Sequence, residues 1–461
     1  MPKQNIIWII ILLVMGVVLL GVWQLGDKNV DHQSHEFQGL QRTYELINDE
    51  YYKPLDAQEL KRAAVRGMVS SLDVFSTYVP PESMDLLNQR IRGITASLGL
   101  EMQFEQGKTV TADGVMVIGA LLNSPGHKAG IYPGTRILDV NDEPVEGLTE
   151  TQVRNLLAGE IGETVKLNVV NPAGVKSVIK LQRKPFEVES VEGLYRDGDA
   201  RWVYKIPGSA ELLYIRIGEF TPQTKQVLQT TLRKISANSA QGLVVDLRNN
   251  PGGLLPDGVG VADMFLSAGH IVTVVSRNSK EIHNAHAGTP YAKIPILVLI
   301  NGDSASAAEI VSGAMSENNR ALLVGTNTRG KGCVQAMISL PDSLGQVNLT
   351  TAEFFVNPDR PIRRKPGAKT WGVAPDIRVT MTPAQTKKLT DLQIQGKVIP
   401  LVLGLEQDVK YRSPDPKTLA ADLLKSDPQL QEAVKLLSNP KLFHNTLDIA
   451  HSKKTSKPNT P

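Results

Sequence analysis

Between Ile296 and Val324 the chain reads as strand, turn, small-residue helix and strand, and this alternation constrains the fold more than any other stretch. Ile296–Ile300 is an unbroken apolar run of strand length, broken by Asn301-Gly302-Asp303. Ser304-Ala305-Ser306-Ala307-Ala308-Glu309-Ile310 then opens a helix of small side chains, and Ala321–Val324 is a second apolar run. The alternation extends outward. Glu211–Ile217 and Gly242–Leu247 read as strands with a helix at Thr224–Ser236 between them, and Gln346–Phe355 as a further strand. Residues 186–395 are therefore expected to form an α/β core.

At 461 residues the chain is too long for one ordinary core, and about three domains are expected. Fifty basic and 47 acidic side chains leave a net charge of +3, too small a field to imply nucleic acid as a partner. The single cysteine, Cys333, excludes an intramolecular disulfide.

The N-terminus bears on compartment. Ile6–Leu25 is apolar apart from Gln24, and its 20 residues as a helix would span about 30 Å, the thickness of a hydrocarbon core. Leu-Gly-Val-Trp-Gln-Leu-Gly at its exit is a poor cleavage site, which favours an uncleaved signal anchor over a cleaved signal. Lys3 on the short side predicts a cytoplasmic stub at residues 1–5 and an extracytoplasmic, periplasmic catalytic part anchored in the cytoplasmic (inner) membrane by a single span. Residues 26–90 read as a tether and N-terminal helical region, 396–450 as a C-terminal helical region, and 451–461 as a disordered tail. Leu419–Leu424 and Leu430–Leu437 are amphipathic helices able to cover the core or to pair two subunits as a homodimer.

Residues 91–185 change to short β-like runs punctuated by glycine, with a helix at Thr149–Leu157 capped by Thr149. The Ser97-Leu98-Gly99-Leu100 loop, Asn123-Ser124-Pro125-Gly126-His127-Lys128-Ala129-Gly130-Ile131 and Pro133–Asn141 resemble a PDZ domain, a small sandwich or partial barrel with helices. The resemblance implies capture of a peptide C-terminus as an added strand, with Leu98, Gly99 and Leu100 cradling its carboxylate.

Two side chains carry the chemistry. A serine hydroxyl needs a base beside it, and a lysine serves as that base only when burial lowers its pKa from about 10.4 towards neutrality. Ser306 lies at the mouth of the small-residue helix and Lys331 between Gly330 and Gly332. Gln335 can hold the amine without adding a counter-charge that would raise its pKa. Each has a plainer reading: Ser306-Ala-Ala-Glu309 is also a capping box, and an isolated lysine is commonly a solvated charge.

The combination Ser304–Ile310, Gly330-Lys331-Gly332-Cys333-Val334-Gln335, Asp246-Leu247-Arg248-Asn249-Asn250-Pro251-Gly252-Gly253 and Gly372-Val373-Ala374-Pro375-Asp376-Ile377 resembles the carboxyl-terminal processing proteases. By motif position that resemblance implies Ser306 as nucleophile, Lys331 as base, Gln335 as its support, and the backbone N–H groups of Gly252 and Ala307 as the oxyanion hole. It also implies protein substrates with accessible nonpolar tails, and no metal or other cofactor. Several positions depart from the family pattern. Asp303 adds a carboxylate three positions before the nucleophile, and Ala308 and Cys333 stand where serine is common. Ser97 replaces the first glycine of the PDZ loop, and Ala158 stands where relatives carry an arginine, with Arg154 one turn earlier. Asp73-Val74-Phe75-Ser76-Thr77-Tyr78 differs from the related segment at two positions. The competing functional class is a membrane-bound PDZ scaffold with an inactive core. His283 and His286 could be read as a metal pair, but no acidic third ligand accompanies them.

Overall fold

The computed structural model describes residues 37–105, 107–357, 361–398 and 415–455. The predicted anchor at 6–25 lies outside them, and among the described residues no helix is long and apolar enough to cross a membrane. The chain divides into two compact units. In the first, helix α1 (residues 37–50) and helix α2 (Ala57–Ser70) precede strand β1 (Thr77–Val79), which pairs antiparallel with Gln346, Val347 and Asn348. Asp56 caps α2 by accepting from Gln58 N–H, and Asp73 turns the chain into β1 by accepting from the amides of Phe75 and Ser76.

The second unit contains the PDZ block and the core. Strands β2 (Leu100–Gln103), β3 (Val115–Ala120), β4 (Arg136–Val140), β5 (Thr164–Val170) and β6 (Lys176–Gln182) form one antiparallel sheet in that order. Alternate residues of β5 (Val165, Leu167, Val169) are buried, as expected of a sheet with one packed face. Helix α3 (Glu150–Leu157) begins at the predicted cap, with Thr149 and Gln152 bonded reciprocally.

In the core sheet β7 (Ser209–Ile217), β8 (Gly242–Asp246), β9 (Ile296–Ile300), β10 (Ala321–Gly325) and β11 (Ile377–Arg378) are parallel in that order, and the short strands Val191–Glu192 and Lys205–Ile206 pair antiparallel with β7. Every residue of β8, β9 and β10 is buried, which is why these strands read as continuous apolar runs without alternation. The two faces divide by parity. Leu243, Val245, Ile296, Val298 and Leu323 pack with helices α4 (Leu255–Asp263) and α5 (Ala307–Glu317). Val244, Leu297, Leu299, Leu322 and Val324 pack with the C-terminal helices. The small residues of α5 allow close packing: a Cβ at Gly258 of α4 would stand 2.9 Å from Ala307 Cβ, and one at Gly313 would stand 2.7 Å from Val356.

Among the described residues the C-terminal region forms α6 (Pro383–Lys397), α7 (Pro416–Ser426), α8 (Pro428–Leu437) and α9 (Pro440–Thr455). Of the two roles open to this region, α7, α8 and α9 take the first, since Leu419, Leu423, Leu430, Leu436 and Phe443 close the second face of the sheet. The expected tail at 451–461 is corrected over its first part, because α9 continues to Thr455. Lys454 anchors it by donating to Ser316 Oγ (2.7 Å) and pairing with Asp376 (2.8 Å). That carboxylate is almost fully buried, so the charge pair opposes fraying of the last turn.

Candidate active site

Three neighbouring parallel strands release their loops at one edge of the sheet, the usual place for a site in an open α/β fold. Strand β8 leads into Leu247–Gly253, β9 into Asn301–Ser306 and β10 into Thr326–Lys331. Ser304 and Asn301 bind the first two loops together. Ser304 Oγ donates to Leu247 O at 2.7 Å and accepts from Asn301 N–H, while the Asn301 amide bonds Asn249 through both its ends. Ser304 is fully buried in this role, whereas Ser306 is only half-buried.

Ser306 precedes α5 with φ 54° and ψ −117°, a backbone that a residue with a Cβ adopts only under constraint. The constraint is visible. Glu309 N–H donates to Ser306 O at 2.8 Å, closing the first helical turn, and Ser306 N–H donates to Glu309 Oε2 at 2.9 Å. Ala307 opens the helix, where an amide has no carbonyl partner within the helix itself.

Glu309 does more than complete a cap. It is fully buried and accepts four hydrogen bonds. Oε1 receives Thr328 Oγ1–H and Gly330 N–H, both at 2.6 Å, and Oε2 receives the amides of Ser306 and Lys331, both at 2.9 Å. Burial raises its pKa above the ordinary carboxylate value, and those four donors pull it back down. Thr328 Oγ1 also accepts from Val373 N–H at 2.7 Å, and Gly372 (φ 63°) passes so close that a Cβ there would stand 2.6 Å from that oxygen. The Gly372-Val373 segment is thereby fixed to the lysine loop.

Lys331 sits between Gly330 (φ 79°) and Gly332 (φ 56°), and a Cβ on Gly332 would come within 2.7 Å of the Arg363 backbone. The lysine is half-buried, and desolvation is the first cause holding its amine below the usual lysine pKa. Arg329 lowers it further, while Cys333 and Glu309 oppose. Asp303, the added carboxylate, is bound to Arg329 at 2.5 Å, and both side chains are exposed. Gln335 Nε2 donates to Cys333 Sγ (3.1 Å) and Thr350 Oγ1 (3.3 Å). Both donors of the amide are committed there, so Oε1 is its one atom able to accept a lysine N–H. Cys333, buried beside it, thus orients that amide.

Gly252 approaches Ser306 so closely that a Cβ on it would stand 2.6 Å from Ser306 Cβ and 3.1 Å from Ala307 N, and its φ of 104° suits glycine. Its N–H is engaged: it donates to Asn250 Oδ1 at 2.8 Å. Asn250 is fully buried, with Nδ2 donating to Ile217 O and its carbonyl accepting from Ala305 N–H. One of the two amides expected in the oxyanion hole is therefore bonded within its own turn in this structure.

In the PDZ block Leu98 is buried, with its carbonyl accepting from Gly126 N–H. Gly99 has φ 66°, and its N–H donates to Ser97 Oγ at 3.1 Å, so the serine that replaces a glycine bonds the loop it belongs to. Leu100 begins β2 beside that loop. Arg154 pairs with Glu150 and lies over the Phe104 ring, while Arg183 donates to the Ala158 carbonyl at 2.7 Å. His286 bonds Asp263, and no group of three or more metal-ligating side chains occurs among the described residues.

The model of peptidase family S41 matches residues 211–379, that of a PDZ domain 117–171, and that of the activating protease CtpB N-terminal domain 22–83. The carboxy-terminal-processing protease of Bartonella bacilliformis is 30% identical over 400 residues, 86% of each chain. The chain belongs to peptidase family S41. The carboxy-terminal processing protease CtpA of Bacillus subtilis is 29% identical to this S41 peptidase over 361 residues, 77% of this chain and 72% of that one. Among solved structures, the photosystem II D1 C-terminal processing protease aligns at 27% identity and a TM-score of 0.44, over 74% of this chain and 86% of that one. This S41 peptidase is a serine-type carboxy-terminal processing protease.

Proposed function

We propose that this S41 peptidase cleaves proteins whose nonpolar C-terminal tails are held by its PDZ domain, using Ser306 as nucleophile and neutral Lys331 as general base. The observation that supports this most is the Glu309 carboxylate, which binds the main chain of both residues and so brings the two loops to one point. The lysine pKa, lowered chiefly by burial, supports the second requirement, a larger share of neutral amine able to take a proton.

In this reading Lys331 Nζ accepts the Ser306 hydroxyl proton as Oγ attacks the scissile carbonyl. Gln335 Oε1 orients the amine. The oxyanion is received by the Ala307 N–H and by the Gly252 N–H, which must turn from Asn250 Oδ1 or share itself with the new acceptor. Lys331 then returns the proton to the departing amine, and water repeats the sequence on the acyl-enzyme. The Leu98–Leu100 loop receives the tail carboxylate once the Gly99 amide leaves Ser97. Residues 6–25 hold the enzyme in the cytoplasmic membrane with its catalytic part outside.

The test is cleavage of one nonpolar-tailed protein by the full chain, Ser306→Ala and Lys331→Ala. Loss of turnover in both is expected, and activity retained by Lys331→Ala would remove the dyad. Deleting residues 1–25 should move the protein from the membrane fraction, and unchanged sedimentation would exclude the anchor.

A further inference from the structure

The turn that carries Gly252 begins at Arg248, and this side chain is only 4% exposed. All five of its N–H donors have partners. Nε bonds both Asp246 oxygens, Nη2 bonds Asp246 Oδ2 (2.6 Å) and Asp427 Oδ2 (2.7 Å), and Nη1 bonds Asp427 Oδ1 (3.0 Å) and Gln429 Oε1 (3.0 Å). Asp246 ends β8, two residues before Arg248. Asp427 is 179 residues away and caps α8, accepting from the amides of Gln429 and Leu430. Asp246, Asp427 and Gln429 are at most 3% exposed, so no water can take the place of a missing partner.

We propose that Asp427, delivered by the C-terminal helices, is a positioning residue for the oxyanion turn: through Arg248 it sets the register of residues 248–252 against Ser306. Two facts make the turn sensitive to that register. Gly252 lies so close to Ser306 that a Cβ on it would stand 2.6 Å from Ser306 Cβ, so its main chain directly borders the nucleophile. Its neighbours are tied to the nucleophile's own loop, since Asn249 N–H donates to Asn301 Oδ1 and the Asn250 carbonyl accepts from Ala305 N–H, so a shift of the turn is felt at Ser306. Without the fork from Asp427, the guanidinium is drawn towards Asp246 alone, and the backbone it carries moves away from the nucleophile. The inference rests on the proposed roles of Ser306 and Gly252.

The experiment uses the full chain and a nonpolar-tailed protein substrate. Asp427→Asn retains a good helix cap and removes the bidentate charge pair. Asp415→Ala removes the cap of α7, where Asp415 accepts from Thr418 N–H, and leaves Arg248 untouched. Asp427→Asn is expected to lower kcat about tenfold or more with KM within about twofold, by analogy with the cost of a displaced oxyanion donor. Asp415→Ala is expected to change the thermal midpoint and leave kcat as it is. Unchanged kcat in Asp427→Asn, a change in KM alone, or equal falls of kcat in both variants would overturn the proposal. Should Asp427→Asn fail to fold, Gln429→Met, which withdraws one acceptor from Nη1, carries the same readout with a smaller expected fall. Wild-type turnover lost in Ser306→Ala, with kcat intact in the Asp427 variant, would sink this inference alone. Turnover surviving in Ser306→Ala would sink it together with the nucleophile assignment.

Discussion

Ser306 and Lys331, 25 positions apart in sequence, donate their main-chain N–H groups to the same atom, Glu309 Oε2, each at 2.9 Å. A single carboxylate oxygen therefore fixes the backbone of the proposed nucleophile to that of the proposed base. The contact is short, charge-assisted and shielded from solvent, the conditions under which hydrogen bonds hold geometry best.

Glu309→Gln should weaken this tie without removing bulk. The amide keeps one acceptor oxygen and turns an NH2 towards groups that are themselves donors. Each stranded buried N–H costs about 1–3 kcal/mol. Turnover is expected to fall at least tenfold and the denaturation midpoint to drop. A variant with wild-type kcat would show that the two loops hold their places without the carboxylate.

The pH dependence has a defined sign. Lys331 is held below the ordinary lysine value, chiefly by burial, and as the proposed base it works only when neutral. Activity should therefore rise with pH through that lowered pKa and reach its plateau at a lower pH than it would with a base that titrated as a free lysine. Glu309 is shifted upward, also chiefly by burial, so it gains its proton at a higher pH than a solvated carboxylate. Protonation removes acceptor capacity from the tie, which adds a second loss of activity on the acid side. A kcat/KM profile from acid to alkaline conditions checks both statements; a flat profile contradicts the first.

Gly252→Ala places a methyl group 2.6 Å from Ser306 Cβ at a φ that alanine rarely adopts. The expected result is a loss of kcat of about a hundredfold or more, the scale of a missing oxyanion donor. Steady-state kinetics on the variant, with circular dichroism to confirm the fold, decides the matter.

Lys454→Ala should act on stability and spare catalysis. It strands the nearly buried Asp376 carboxylate, whose other oxygen accepts from Leu323 N–H, and releases the Ser316 hydroxyl at the end of α5. A cost of about 1–3 kcal/mol in chemical denaturation is expected.

Much of this architecture was legible because it rests on local pattern. The buried strands announced themselves as apolar runs, and Thr149 announced its helix by capping chemistry. The long-range polar connections left no such trace. Nothing in the sequence near Asp427 points to Arg248, because hydrogen bonding across 179 residues has no period to detect. Glu309 was visible only as the acidic end of a capping box, and its bonds to Thr328, Gly330 and Lys331 arise from the way β10 returns beside β9. Helix α6 was missed because only Leu389 and Gly396 are buried along it, too few to produce a periodic stripe. The Asn250–Gly252 bond was equally invisible, since it depends on a turn whose shape is set by Ile217 and Ala305.

The parity of the core sheet has a consequence for synthesis. One face of β8, β9 and β10 packs with Leu389 of α6 and with a larger set of side chains from residue 419 onward. A nascent chain that has already made the proposed nucleophile and base and the PDZ block still lacks much of the layer that shields Val244, Leu297 and Leu322 from water. The order of the chain thus delays a finished core until the helices of residues 416–455 have emerged. A ribosome-stalled or truncated chain ending before Pro416 is expected to expose this surface and to remain inactive, a safeguard written into the sequence by the position of its last helices.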